Sequence, residues 1–287
     1  MIVGFNGQCV EDSKAVISVF DHGFLYGMGL FETMRTYGGV PFLLQEHLTR
    51  LSDACEQLGI RYRADERELR RHVGELLAAN GLQEGYVRIS VTAGVQPLGL
   101  PTTDYEEPNV IVYVKALPPE VDPPGKPLQL LQLRRNTPEG DIRTKSFHYM
   151  NNILAKREMY AYPWSVGGEG LFLDVNGYVA EGIVSNVFFI KARCVYTPSL
   201  DTGILPGITR AHVLRLAAEA GIPTEEGCYS LDRLLQADEI FICNSVQELV
   251  PIHTVYDCEG SLLWKGQSAE QHVTQQLLAA YRHSIQL

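Results

Sequence analysis

The chain has 287 residues, of which 45% are hydrophobic and 20% are charged, as in an ordinary globular protein. Its formal net charge of −10 argues against a nucleic-acid-binding protein, which would normally present a basic face. No apolar run is long enough to span a bilayer, and the N-terminus has no charged stretch before an apolar one. We therefore expect a cytoplasmic protein that binds neither nucleic acid nor membrane.

Cysteine and histidine spacing gives no support to a disulfide framework or a metal site. The six cysteines are widely scattered and form no Cys-x-x-Cys pair, and the eight histidines form neither His-x-His nor His-Glu-x-x-His. Four of the cysteines lie in apolar contexts typical of small buried hydrophobic residues in a reducing cytosol. We expect no bound metal.

The first part of the chain predicts two hairpins, two helices and two strands. Asn6-Gly7 and Gly38-Gly39 are hairpin turn pairs between strand-like segments. Residues 43–59 carry an apolar stripe at helical spacing, and residues 65–81 begin with Asp65 followed by Glu68, an N-terminal helix signal. Alternation and β-branched residues predict strands in 85–94 and 109–117.

A proline-rich stretch predicts a stiff linker over residues 118–126. It separates a small N-terminal domain, residues 1–117, from a larger domain, residues 127–287. The second domain mixes predicted strands with predicted helices, the strands in 170–182, 185–191 and 237–246 and the helices in 151–161 and 208–221. The fold class is therefore α+β with two domains.

Three features of the second part of the chain could carry chemistry. Gly207 precedes a helix whose first turn holds Ile208 and Thr209, and the free amides at such a start, with a hydroxyl, suit a phosphate. An ordinary capped helix remains the alternative. Glu181 lies between two strand-like stretches, where a buried carboxylate would need a partner, but taken alone this position favours a solvated turn glutamate.

Lys145 stands where an extended segment turns into a helix that begins near Tyr149. If the backbone is extended there, Arg143 points to the same side, and two adjacent cations favour a neutral, nucleophilic amine. The alternative is a solvated surface lysine. An amine, a phosphate cradle and a carboxylate together are what pyridoxal phosphate requires, whereas the glycine motifs of nucleotide-binding sites are absent.

The order of several motifs resembles a known family. The stretches "FDHGFLYGMGLFETMRTY", "HLTRLSDA", "KSFHYMNNILAKRE", "EGIVSNVF", "GILPGITR" and "ADEIFICNSV" are similar to those of fold-type IV pyridoxal-phosphate enzymes, the class IV aminotransferase family. Within it the chain looks most like the aminodeoxychorismate lyases. The resemblance implies a small α/β sandwich domain plus a larger pseudo-barrel domain that carries most of the cofactor site. It also implies a homodimer and a small amino substrate.

The resemblance also implies roles for individual residues. Lys145 would be the Schiff-base lysine and proton shuttle, and Glu181 would partner the pyridine nitrogen. Arg50 would clamp the phosphate, although a helix-surface arginine paired with Glu46 or Asp53 is the alternative. Other cofactor contacts would come from the ring-packing Leu205 and from the phosphate-binding Gly207, Ile208, Thr209, Ser245 and Val246.

Substrate recognition should separate a lyase from an aminotransferase. Aminodeoxychorismate carries two carboxylates, so we expect cations in its pocket, with Arg88 and Arg143 as candidates. Phe31 and Thr33 lie in a stretch that faces the substrate in the family. An Arg-x-His carboxylate trap, typical of D-amino-acid aminotransferases, is absent from "TAGVQPLGLP". Branched-chain or D-amino-acid aminotransferase activity, and a non-catalytic pyridoxal-phosphate-binding protein, remain the alternatives.

Overall fold

A computed structural model of the chain describes residues 1–117, 125–266 and 272–285. These residues form two compact units. The first contains residues 1–117 and Thr144–His148, and the second contains residues 125–143 together with the described residues from 149 onward. Most of the predicted linker, residues 118–124, lies outside the described residues. Within the described ranges, no helix is both long and apolar enough to cross a membrane.

The first unit is a six-stranded antiparallel sheet with two helices packed on it. Its elements are β1 (Ile2–Phe5), β2 (Gln8–Glu11), α1 (His22–Tyr26), β3 (Gly29–Tyr37), β4 (Val40–Pro41), α2 (Leu44–Gln57), α3 (Glu66–Ala79), β5 (Tyr86–Thr92) and β6 (Asn109–Lys115). The strand order is β2-β1-β6-β5-β3-β4. The two hairpins, the two long helices and the two further strands predicted from the sequence are confirmed.

The core of the first unit follows from side-chain periodicity. Leu30 and Met34 alternate onto one face of β3, and Leu48, Leu51 and Leu76 come from the apolar stripes of α2 and α3; all are at most 3% exposed. The start of α3 is fixed as predicted, because the Asp65 side chain accepts a hydrogen bond from the Glu68 amide at 2.8 Å.

The second unit is built on a nine-stranded mixed sheet. Its elements are β7 (Lys126–Leu130), α4 (Met150–Glu158), β8 (Glu169–Leu173), β9 (Val179–Gly182), β10 (Asn186–Lys191), β11 (Cys194–Pro198), α5 (Ile208–Glu219), β12 (Thr224–Gly227), α6 (Leu231–Leu235), β13 (Glu239–Asn244), β14 (Glu248–Tyr256), β15 (Leu262–Lys265) and α7 (His272–Ser284). The order is β12-β11-β10-β13-β14-β7-β8-β9, and β15 pairs with β14.

The sheet of the second unit curls into a half-barrel. Strand β9 lies at one end of the strand order, yet a short turn leads from it directly into β10, which lies within the order. The Gly182 amide donates to the Ser185 carbonyl at 2.7 Å and tightens that turn. The α+β class and the pseudo-barrel expected from the family resemblance are confirmed.

Helix α4 forms where helical spacing predicts it, but its apolar residues do not face the core. Met150, Ile153 and Leu154 are 74%, 56% and 45% exposed, whereas Asn152 and Ala155 are buried. The polar Asn152 is buried because its side-chain amide donates to the Ile183 carbonyl at 2.5 Å. Spacing therefore predicted the helix but not the side that packs.

All six cysteines lie within the described residues and are free thiols. Cys55 and Cys243 are buried, and Cys194 and Cys258 are partly buried, in keeping with a packing role. Cys9 and Cys228 are exposed.

Candidate functional site

The backbone of Lys145 is held by β3 within the first unit. The Phe31 amide donates to the Lys145 carbonyl at 2.9 Å, and the Phe147 amide donates to the Gly29 carbonyl at 2.9 Å. Leu30 and Ser146 lie opposite each other as a β-bridge. Residues 145–147 therefore run antiparallel to the start of β3, which fixes the Cα from which the amine extends.

Phe31 contacts two cationic side chains of the same unit. The Lys145 Nζ atom lies 4.7 Å from the centre of the Phe31 ring, and the guanidinium carbon of Arg88 lies 3.7 Å from it. Phe31 is opposite Ser90 in the β3–β5 pair, and Arg88 donates through Nε to the Ser90 hydroxyl at 3.1 Å. Lys145 is partly buried. The fold thus places this amine on an aromatic face, beside a cation that can bind a carboxylate.

Thr33 lies opposite Arg88 in the same pair of strands and is partly buried. Because side chains alternate along a strand, Thr33 shares the sheet face of Phe31, not that of Leu30 and Met34. The fold therefore brings together Phe31, Thr33, Arg88 and Lys145, four residues selected from the sequence, within the first unit.

Arg50 is bound on the other side of β3 by a buried carboxylate. It donates through Nε to Oε1 of Glu32 and through Nη2 to Oε2, both at 2.7 Å. His47 Nδ1 lies 2.6 Å from the same Oε2. Burial alone would raise the pKa of Glu32, but Arg50 and His47 outweigh burial and lower it to about 2. The two-point contact sets the plane and direction of the guanidinium.

Glu181 of β9 is buried and accepts a hydrogen bond on each oxygen within the second unit. Its Oε1 accepts from Arg135 Nε at 2.8 Å, and its Oε2 accepts from the Leu205 amide at 3.0 Å. The Asn186 side-chain amide lies 3.5 Å from Oε2. A solvated turn glutamate does not fit this position, where Glu181 is 4% exposed. Donors to both oxygens hold this buried carboxylate in one orientation.

Arg135 was not selected from the sequence, although a signal was present. In the run 131–135, Leu131, Leu133 and Arg135 alternate inward while Gln132 and Arg134 are exposed. Continuing that alternation places Arg135 inside, where an arginine requires an acidic partner. Its Nη1 also donates to side-chain oxygens of three asparagines, Asn136, Asn151 and Asn152.

Arg143 is a buried cation bound by neutral carbonyl groups of the second unit. It is 8% exposed, and its Nε donates to the Gly203 carbonyl at 2.6 Å. Its Nη2 donates to the Asn136 carbonyl. Burial lowers the pKa of Arg143 to about 10, with a further lowering from the charge of Arg135. A cation in this setting gains from an anionic ligand, as the role predicted for it requires.

The start of α5 provides the predicted anion-binding features. Gly207 occupies the N-cap position, and no side chain in the described part of the chain caps the helix. The amides of Ile208 and Thr209 lie in the first turn, where helical amides have no intrahelical partner. The Thr209 hydroxyl lies 3.1 Å from the Ser245 hydroxyl, so the residues after β13 meet the start of α5. Amides and two hydroxyls at a helix N-terminus favour a phosphate.

Val246 and Arg210 lie next to this anion site, and the groups they contact are known. The Val246 amide donates to Asn244 Oδ1 at 3.0 Å, so its part in phosphate binding stays a prediction. Arg210, in the first turn of α5, contacts Glu226 and donates to the Pro198 carbonyl at 2.8 Å. A cation in the first turn of a helix is unfavourable because the helix dipole is positive there. The carboxylate of Glu226 offsets this for Arg210.

Asn186 joins the carboxylate to the anion site and was also not selected from the sequence. Its side-chain amide donates to the Leu205 carbonyl at 3.0 Å, while the Leu205 amide donates to Glu181. A Cβ atom at Gly207 would overlap with Asn186 Oδ1. Glycine is therefore required at position 207 for Asn186 to hold Leu205 and Glu181 in place.

The groups of each unit, taken separately, fit the chemistry of pyridoxal phosphate. The second unit provides uncapped amides with paired hydroxyls for a phosphate and a fixed, buried carboxylate for a ring N–H. The first unit provides a primary amine on an aromatic face and an oriented guanidinium. The part that each selected residue takes in binding the cofactor stays a prediction.

Comparisons with known proteins find one matching family and several similar relatives. A family model described as amino-transferase class IV matches residues 29–255. A curated relative from Bacillus subtilis (strain 168), an aminodeoxychorismate lyase, is 44% identical over 275 residues, covering 95% of this chain and 92% of the relative. A putative branched-chain-amino-acid aminotransferase from Methanocaldococcus jannaschii is 36% identical over 271 residues, covering 94% and 92%.

A solved structure is also similar over nearly the whole chain. It is the crystal structure of 4-amino-4-deoxychorismate lyase from Pseudomonas aeruginosa. The TM-score is 0.82 at 28% identity, with 99% of this chain and 100% of that chain covered.

Proposed function

Because the chain belongs to the class IV aminotransferase family, we propose that it is a pyridoxal-phosphate-dependent 4-amino-4-deoxychorismate lyase that releases p-aminobenzoate and pyruvate. The observation that carries the proposal is the 44% identity with a named lyase over 95% of the chain. The aminotransferase relative reported above reaches 36%. The reaction would place the protein in folate synthesis.

The cofactor would be held by the groups described above. Lys145 would bind its aldehyde carbon covalently, Glu181 would accept a hydrogen bond from the ring nitrogen, and Leu205 would pack against the ring. The phosphate would be bound by Arg50 and by the start of α5 with the residues after β13, namely Gly207, Ile208, Thr209, Ser245 and Val246. When bound, pyridoxal phosphate supplies an electron sink for the pair left by a broken bond at the substrate carbon that bears nitrogen.

The residues of the chain would then perform the proton chemistry. Once the substrate amine displaces the Lys145 amine, Lys145 would take the proton from the carbon that bears nitrogen. Glu181 would hold the proton at the ring nitrogen, because Arg135 and the Leu205 amide fix the orientation of its carboxylate. The electrons would leave with the enolpyruvyl group, and aromatisation of the product favours that direction over transamination.

Recognition of the substrate would rest on cations that match its two carboxylates. We assign Arg88, stacked on Phe31, and Arg143, buried among neutral carbonyls, to these carboxylates. Thr33 would line the same face of the first sheet as Phe31. A guanidinium matches a carboxylate with two parallel hydrogen bonds, which fixes orientation as well as charge.

The decisive experiment is incubation of the purified holoenzyme with aminodeoxychorismate in the absence of a keto acid. We expect p-aminobenzoate and pyruvate to appear together in equal amounts. Lys145→Ala should abolish turnover, while its thermal unfolding transition should remain that of a folded protein. The control is Lys191→Ala, which removes an exposed lysine paired with Asp238 and should retain activity. Amino-group transfer that requires an added keto acid would instead identify a branched-chain or D-amino-acid aminotransferase.

The third alternative is a pyridoxal-phosphate-binding protein without a reaction. It predicts that the wild-type protein retains the cofactor yet converts neither aminodeoxychorismate nor any amino acid in a panel of D- and L-isomers. Lys145→Ala would then change only the absorption of the bound cofactor.

We further propose that the protein is a homodimer in the cytoplasm. Each unit exposes large apolar side chains that a second copy could cover. On α4 these are Met150, Ile153 and Leu154, and in the first unit they include Phe20, Phe24, Leu98 and Leu100. Light scattering after size-exclusion chromatography should give twice the mass of the 32.0 kDa chain. A monomer that is fully active would contradict the proposal.

A further inference from the structure

A cysteine, a histidine and a glutamate that are distant in sequence meet at the edge of the first unit. Ligand atoms of Cys9, His72 and Glu75 all lie within 4.8 Å of one another. Cys9 is on β2, and His72 and Glu75 are three residues apart on one face of α3. None of the three belongs to the proposed lyase site.

The imidazole of His72 lacks strong hydrogen bonds. It is 3% exposed, and its Nε2 has no hydrogen-bond partner in the described part of the chain. Its Nδ1 has only a 3.5 Å contact, with Glu75 Oε2. A buried polar nitrogen without a partner is costly, so its presence calls for an explanation such as a bound ion.

The imidazole of His72 fits in its place only because residue 4 is a glycine. A Cβ atom at Gly4 would overlap with His72 Nε2. Gly4 is the cross-strand partner of Cys9 in the β1–β2 hairpin. The ring is therefore packed over the hairpin beside the cysteine, and a larger residue at position 4 would displace it.

The carboxylate of Glu75 divides its oxygens between two neighbours. Oε1 accepts from Arg71 Nη1 at 2.5 Å, while Oε2 faces His72. A metal could therefore use Oε2 without breaking the contact with Arg71. The Cys9 and Glu75 side chains are exposed, so small rotations could bring their atoms to the separations of about 3.5 Å that bonds of roughly 2.0–2.3 Å require.

From this juxtaposition we propose that Cys9, His72 and Glu75 form a binding site for a borderline-soft divalent cation, with Zn²⁺ as the best match. A thiolate, an imidazole and a carboxylate are three of the ligand types that zinc takes, and water would complete a tetrahedron. The ion would tie the β1–β2 hairpin to α3. Its role would be to stabilise the first unit, separately from the lyase reaction.

Co²⁺ is the direct probe, because thiolate ligation gives a near-ultraviolet charge-transfer band. The tag-free holoenzyme, treated with a chelator and dialysed, would be titrated with CoCl₂ and the band then displaced with ZnCl₂. We expect one equivalent of Co²⁺ to give the band and Zn²⁺ to remove it and to raise the thermal midpoint. Cys9→Ser should lose both effects, and Glu75→Gln should weaken them.

Cys228→Ser is the matched control, because Cys228 is the other exposed cysteine and lies in the second unit. It should keep the band and the thermal shift. Absence of the band from the wild-type protein, or its persistence in Cys9→Ser, would overturn the proposal. Lyase turnover should be the same with and without Zn²⁺, so failure of this site would not bear on the lyase assignment.

Discussion

Arg135 donates through Nε to Oε1 of Glu181 across 2.8 Å, and each side chain is only 6% exposed. The pair is therefore a buried ion pair in which each charge depends on the other. Since Glu181 also accepts from the Leu205 amide, the two donors together fix the direction of the carboxylate proposed to meet the cofactor ring.

Replacing Arg135 should lower both the stability of the protein and its retention of the cofactor. Arg135→Ala leaves Glu181 buried without its cation, and we expect the free energy of unfolding to fall by about 3–5 kcal/mol. Urea unfolding would measure it, and pyridoxal-phosphate retention would be scored on the same samples. The adjacent, exposed Arg134 offers a control, since Arg134→Ala should change stability by at most about 0.5 kcal/mol. Equal stability of the two variants would contradict this account.

The buried Glu32 should make the first unit sensitive to acid. Its pKa of about 2 lies below the ordinary 4.5, so its contribution to stability is complete above pH 4.5 and is lost as the pH falls towards 2. Glu32→Gln should lower the free energy of unfolding at pH 7 by roughly 3 kcal/mol. The deficit should shrink below pH 4.5.

Urea unfolding of the Glu32→Gln variant between pH 3 and pH 7 would test this dependence. Glu56→Gln, at an exposed acid on the same helix α2, should follow the wild-type curve. A deficit that is constant over the whole range would show that lost packing, and not the charge, is responsible.

Glu169 should have the opposite dependence on pH. Burial raises the pKa of this carboxyl above 4.5, although hydrogen bonds from the Val184 and Ile183 amides oppose the effect. The folded chain then binds a proton that the unfolded chain has released, so this group lowers stability as the pH rises above 4.5. Glu169→Gln keeps an acceptor for the Val184 amide, which now donates to Oε1 at 3.2 Å, and removes the charge.

We therefore expect Glu169→Gln to gain stability relative to the wild type as the pH rises above 4.5. Thermal midpoints at several pH values would reveal it, with Glu219→Gln as an exposed control. A Glu169→Gln variant that becomes less stable relative to the wild type as the pH rises would show that the pKa of Glu169 is not raised in the folded chain.

Gly207 should tolerate no side chain. In Gly207→Ala the new methyl group would overlap with Asn186 Oδ1, so Asn186 must shift and release Leu205. We expect a cost of about 1–3 kcal/mol and weaker cofactor retention. Gly140→Ala is the control, because a Cβ there meets nothing within 4 Å. Adding Asn186→Ala to Gly207→Ala should recover part of the stability, and no recovery would locate the strain elsewhere.

Local patterns in the sequence predicted the elements well because those elements depend on neighbouring residues. Helix α3 begins at its capping Asp65, and the β1–β2 hairpin turns at Asn6-Gly7. The packed face of α4 could not be predicted in this way. Asn152 is buried because it donates to the Ile183 carbonyl, 31 residues away. The hydropathy of the residues in α4 does not indicate this distant partner.

The same distinction applies to the candidate site. Thr209 and Ser245 were selected separately, and the fold brings their hydroxyls together. Alternation along residues 131–135 indicates that Arg135 points inward, but the partner that makes it and Asn186 part of the site, Glu181, is brought to them only by the fold. The cluster of Cys9, His72 and Glu75 likewise spans the hairpin and α3, so no metal-binding motif could be read along the chain.

The isolated β-bridge at Ser146, with the hydrogen bonds on either side of it, has a consequence for synthesis of the chain and for fragments of it. The first unit pairs the start of β3 with residues that a ribosome synthesises only after the proline-rich stretch and β7. A fragment cut at residue 117 would leave the Phe31 amide and Gly29 carbonyl without these partners and would lack Lys145. The native pairing can form only after residue 147 has emerged, whereas a division after residue 148 would keep this pairing but separate β7 from β8 and β14 of the second sheet.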